Sequence, residues 1–233
     1  MSTARTVAHV AYVDLQARLE LITRYLPKLQ SESPRRRWFF VDVPVGTTSG
    51  LEVVQLHQAR DASAQSDLVN WLESGRAANL ITSATFADAS LVLQPAFFPN
   101  GRIPPSYLTA MADGSARAAA LLAGFRGPAP ESTVSSEIGT LYATLFPRPA
   151  DRRLALELYA TWLERIASGT IGDASKSSPS GPAPRNIGCA GLVARLAHTQ
   201  AVRLRGPDYP GGLNQEAALV RSLLRGETDP STW

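Results

Sequence analysis

Cysteine, histidine and lysine are all scarce in this chain. Cys189 is the only cysteine among 233 residues, which excludes an intramolecular disulfide and any Cys-rich zinc site and fits a reducing cytosol. His9, His57 and His198 are the only histidines, far apart and without H-E-x-x-H spacing, so no metal site is expected. No apolar run approaches the roughly 18 residues a membrane span requires. The opening MSTARTVAHVAYVD has one arginine and no signal-like apolar core, so a cytoplasmic protein, off the membrane, is expected. Also missing are a G-x-G-x-x-G after a strand, a G-x-x-x-x-G-K-[ST] loop and a G-x-S-x-G elbow. Nucleotide phosphates have no cradle, no cofactor is expected, and common hydrolase, kinase and dehydrogenase chemistries lose their ground.

What is present is an ordinary globular balance, with 44% apolar and 18% charged residues, long enough to bury a core. The net charge of +3 comes almost wholly from arginine, since Lys28 and Lys176 are the only lysines. Arginines gather at Arg35, Arg36 and Arg37, and again at Arg195, Arg203, Arg205, Arg221 and Arg225. Such clusters suit phosphates or an acidic peptide, and equally form solvated faces. No nucleic-acid-binding motif accompanies them, so nucleic acid is not an expected partner.

Along the chain, strands come first and helices later. Residues 7–13 alternate as a buried strand. Asp14 then caps a helix whose apolar spacing, from Leu15 to Leu26, stops at Pro27. Trp38–Val43 and Leu51–Leu56 read as hairpin strands around a turn over Pro44–Gly50. A short helix over Asp67–Glu73 follows, with further strands expected at Leu80–Phe86 and Ser90–Gln94. Beyond Pro105, helical spacing recurs near 106–123, 136–146, 151–167, 188–205 and 213–225. Between the third and fourth of these runs, residues 169–185 are mostly Gly, Ser, Pro and Ala and read as a flexible loop. The expectation is a single α+β domain over 1–233, with helices packed on a largely antiparallel sheet.

Two stretches together resemble a known family. The first is Ala8-His9-Val10-Ala11-Tyr12, the helix ending Leu26-Pro27, and Trp38-Phe39-Phe40. It is similar to the "HVxY" strand, leucine-proline helix end and "rWFF" strand that open the elimination domain of lantibiotic dehydratases and the related stand-alone thiopeptide-type biosynthesis proteins. The second, His198-Thr199-Gln200-Ala201-Val202-Arg203-Leu204, is similar to that family's late "HMxxNRL" stretch, keeping His, Arg and Leu. The matched ends, about 7–56 and 187–225, bracket nearly the whole chain.

The departures carry chemistry. In the elimination domains, basic residues on a "WFF-x-R" strand and a following "HLRLR" strand hold the glutamate carboxylate esterified to the substrate. Here those positions fall on Asp42 and Glu52. An anionic leaving group needs cationic partners in a partly dry site. Acidic residues would repel it.

The resemblance therefore implies the reaction of the pyridine synthases of thiopeptide pathways. Two dehydroalanines of one modified precursor peptide undergo a formal aza-[4+2] cycloaddition with macrocyclisation, then lose water and the leader peptide. Two alternatives stand beside it. One is a glutamate-elimination partner of a split lantibiotic-type dehydratase, and the other is a non-catalytic leader-peptide-binding protein.

A reaction of neutral alkenes needs shape, hydrogen bonds and proton transfer. His198, with an intrinsic pKa near 6.5, is the first candidate, against a packed structural role. Tyr142 is a candidate proton donor or a core tyrosine; Ser135, seven residues earlier on the same helical face, and Ser136 are catalytic candidates or N-caps. Substrate binding is assigned to Arg203, Gln200, Gln55 and Trp38, although Arg203 could instead pair with a carboxylate between helices. Leader binding is assigned to Arg35, Arg36 and Arg37. His9 is read as structural.

Overall fold

The computed structural model describes residues 3–32, 36–45, 48–58, 64–95, 98, 101–169, 190–206 and 212–226. The expected loop over 169–185, apart from Gly169, lies outside them. Four strands form one antiparallel sheet in the order β2-β3-β1-β4: β1 (Thr3–Tyr12), β2 (Arg37–Val45), β3 (Thr48–Gln58) and β4 (Ile81–Ala87). The helices are α1 (Leu15–Glu20), α2 (Leu26–Glu32), α3 (Ala64–Ala77), α4 (Pro105–Leu122), α5 (Glu131–Leu145), α6 (Pro149–Ala167), α7 (Ala190–Arg205) and α8 (Gly212–Arg225). Helices packed on an antiparallel sheet are the architecture expected. Among the described residues, no helix is long and apolar enough to cross a membrane.

Local chemistry explains the early elements. Asp14 caps α1, its carboxylate accepting from the Ala17 amide at 2.7 Å. Pro27 does not end the helix as its sequence suggested. A wider π turn over Leu21–Tyr25 precedes it, and α2 continues to Glu32. Such a turn changes the hydrogen-bond ladder just where proline brings no N–H. The hairpin is tighter than expected, because Pro44 pairs with Ser49 and Val45 with Thr48 inside the ladder. Pro44 is tolerated because β2 is an edge strand.

Strand alternation gives the sheet two buried faces. Ala8, Val10, Trp38, Phe40, Asp42, Val53 and Gln55 share one, and Val7, His9, Phe39, Val41, Glu52 and Val54 the other. Gly50 allows β1 and β3 to meet, since a Cβ there would lie 2.6 Å from the Val10 carbonyl oxygen. The outer edge at β2 is covered: the Phe40 amide donates to Ser115 Oγ of α4 at 3.1 Å, and its carbonyl accepts from Arg203 Nε at 2.7 Å. Residues 90–94 bend rather than form the expected strand. Ser90 Oγ and the Leu91 amide instead donate to the Glu52 carboxylate, so a side chain replaces the ladder.

The chain divides into two compact units. The first, Met1–Ala129 with Val202–Pro207, holds the sheet and α1 to α4 over a core including Leu21, Phe39, Phe40, Val53 and Met111. The second, Pro130–Ala201 with Asp208–Trp233, is helical over Ile138, Tyr159, Leu163, Ala197 and Val220.

Candidate functional site

In the second unit, α5, α6, α7 and α8 bring together a polar cluster that their separate sequences do not announce. Glu216 lies on the buried face of α8 with Leu219, Val220 and Leu223. Its carboxylate accepts from the Tyr159 hydroxyl of α6, and its Oε2 stands 2.9 Å from His198 Nδ1 of α7. The Glu216 side chain is 4% exposed and that of His198 30%, so a buried acid backs a half-open imidazole. Trp162 of α6 meets the imidazole edge-on, with ring centroids 5.7 Å apart.

The cluster continues as an aromatic row. Tyr142 stacks with both Tyr159 and Phe146, each at 5.8 Å. Its hydroxyl is buried and has no hydrogen-bond partner among the described residues. Burial first, and the Glu216 charge second, push its pKa up, so Tyr142 keeps its proton at any physiological pH.

The remaining candidates are distributed more widely. Helix α5 begins at Glu131, so neither Ser135 nor Ser136 is the N-cap; Ser135 is buried on the face of Val134 and Ile138, and Ser136 is exposed. Gln200 is buried on α7, but two residues beyond His198 and therefore about 200° round the helix. Arg203, Trp38 and Gln55 belong to the first unit. Trp38 and Gln55 are cross-strand neighbours, both buried, and neither the indole N–H nor the carboxamide has a partner among the described residues. Arg203 is buried, with its guanidinium 5.4 Å from the Phe40 ring centroid and its Nε on the Phe40 carbonyl. Burial pushes it down to about 9, opposed by Tyr107 and Asp42, and it remains a cation at neutral pH. Arg36 pairs with Asp67 and Arg37 with Asp113 at 3.4 Å, while Arg35 lies outside the described residues.

The two acidic strand positions are engaged inside the first unit. Asp42 is clasped by Arg18 of α1, Nε to Oδ1 and Nη2 to Oδ2, each at 2.6 Å. Glu52, fully buried, receives Ser90, the Leu91 amide and His9 Nε2, the last at 3.1 Å. Neither is open to an incoming carboxylate. Among the described residues, no group of three or more His, Cys, Asp or Glu is placed to hold a metal.

Sequence reasoning missed Glu216, Tyr159, Trp162 and Arg18. Glu216 did leave a signal, because it occupies position i of the apolar series Leu219, Val220, Leu223.

No protein-family model and no curated protein matches the chain. Among solved structures it is similar to the tRNA dependent lantibiotic dehydratase MibB from Microbispora sp. 107891, with a TM-score of 0.60 and 13% identity. The match covers 96% of this chain and 28% of the dehydratase, so the chain spans little more than a quarter of that protein's length. At this identity the likeness is one of fold, and the fold is that of a segment of a lantibiotic dehydratase. A second similarity, to TsrL, covers 99% of this chain and 97% of that one at 12% identity, but its TM-score of 0.37 carries no argument.

Proposed function

We propose that this chain modifies a leader-bearing precursor peptide in peptide-antibiotic biosynthesis, as a pyridine synthase of the thiopeptide type. The observation that carries the reading is the half-open His198 imidazole backed by buried Glu216 and edged by Trp162. It is a site for moving protons beside an aromatic wall, on a fold shared with a dehydratase segment. Asp42 and Glu52, each already bound within the chain, disfavour the elimination of an anionic glutamate.

In this reading one dehydroalanine and its preceding amide, as the iminol tautomer, form a 2-azadiene; the other dehydroalanine is the dienophile. Two carbon–carbon bonds form and close the ring. Water then leaves with the iminol oxygen, and the leader leaves as a carboxamide when its bond to the ring carbon breaks. The sequence is redox-neutral, and each elimination takes a proton from the ring and delivers one to the leaving group. His198 serves as the base and acid for these transfers. Holding the alkenes in register lowers the entropic barrier, by about 7–11 kcal/mol for well-oriented partners.

The test is a synthetic leader peptide carrying two dehydroalanines, incubated with the full chain and followed by mass spectrometry. A macrocycle and a leader carboxamide are expected. Substrate recovered unchanged, with the leader still bound, would identify a binding protein instead.

A further inference from the structure

The geometry points to Glu216 as a positioning residue that fixes the proton of neutral His198 on Nδ1 and so makes Nε2 the working atom. The inference rests on the reading of His198 as the proton-transfer group. It adds the residue that sets which nitrogen does the work.

A carboxylate offers only acceptors, whereas a neutral imidazole has one donor and one acceptor. With Nδ1 2.9 Å from Glu216 Oε2, the hydrogen bond forms when Nδ1 carries the proton. Nε2, on the other side of the ring, is then an acceptor until the ring is protonated. Which nitrogen holds the proton is set by the bond the other makes. Tyr159 completes the arrangement by donating to the second carboxylate oxygen, Oε1, which holds the carboxylate against rotation. The T-shaped contact with Trp162 restricts the imidazole as well.

A second histidine–glutamate pair among the described residues, His9 with Glu52, shows why this one is more than packing. Glu52 also meets a hydroxyl and an imidazole, but it accepts the Leu91 amide as well and thereby pins backbone. Among the described residues Glu216 binds side chains only, Tyr159 and His198. Burying a carboxylate is costly, and a leucine would pack on that face of α8 without the penalty. What the acid accomplishes is the orientation of His198.

The experiment is long-range proton–nitrogen correlation on full-length protein labelled at histidine nitrogen, recorded at mildly alkaline pH. Wild-type His198 should show a pyrrole-like Nδ1 and a pyridine-like Nε2. Glu216→Ala should move the proton mainly to Nε2, and Glu216→Asp should restore part of the Nδ1–H form. On the two-dehydroalanine peptide, Glu216→Ala should lower kcat about 10²-fold or more with KM little changed. A wild-type His198 protonated on Nε2 overturns the inference even if no variant folds, as does an unchanged tautomer in folded Glu216→Ala. An Nδ1–H tautomer in a protein that leaves the peptide untouched overturns the proposed reaction while upholding the role of Glu216.

Discussion

Arg18 and Asp42 form a forked ion pair with both side chains almost fully out of water. A pair in that position is sensitive to losing one partner, because the other keeps its burial cost without the forked bond. Arg18→Ala or Asp42→Ala should each destabilise the protein by about 3–5 kcal/mol in urea unfolding. Replacing both with leucine should recover only part of that loss, since two burial penalties disappear but buried Arg203 loses the Asp42 charge and the Arg18 bond to its carbonyl. Tyr142 tests the opposite case. Its hydroxyl is buried without a partner among the described residues, so Tyr142→Phe should raise stability by about 1–3 kcal/mol, the usual cost of an unsatisfied polar group. The same variant measures its chemistry: a proton donor would lose about 10²–10⁴-fold in turnover. Unchanged turnover would leave Tyr142 as a core residue.

Elements in this chain are tied as much by single side chains as by ladders. Glu52 of β3 holds residues 90–93 through the Leu91 amide and through Ser90 Oγ, which in turn accepts from the Leu93 amide. Glu52→Gln should speed hydrogen exchange at Leu91 and Leu93 while the central β1–β3 amides stay protected. Helices α6 and α8 show the weaker kind of tie, the exposed pair of Glu164 and Arg221 at 3.0 Å. The hydrogen bond from Arg221 lowers the Glu164 pKa. Its stabilising effect is present above the ordinary carboxyl value and disappears as pH falls through the lowered folded value. Solvent and salt screen such a pair to a few tenths of a kcal/mol, roughly. Arg221→Ala should therefore leave the melting temperature nearly unchanged at neutral pH and high salt.

For the whole molecule, the arginine-dominated charge of +3 bears on the proposed peptide partner. An acidic leader should bind more weakly as salt rises, because exposed charges are screened over about 8–10 Å. Replacing Arg35, Arg36 and Arg37 with alanine tests whether that cluster contributes. Equal dissociation constants at low and high salt, read by fluorescence polarisation, would remove it from the proposed leader site. Arg36 and Arg37 already have Asp67 and Asp113 as partners, which makes this outcome informative either way. By itself the sequence determined the order of strands and helices, the hairpin and the five later helices, because periodicity and capping depend on chain neighbours. It also marked His198 and Tyr142 as residues of the right chemical type. Only the tertiary structure decided that Pro27 continues a helix and that residues 90–94 are pinned by Glu52 rather than paired. It alone placed Glu216 behind His198, 18 residues away, and Arg18 on Asp42, 24 away. Those contacts depend on which helix face packs against which neighbour, and packing of that kind is a property of the folded chain rather than of any local run of residues.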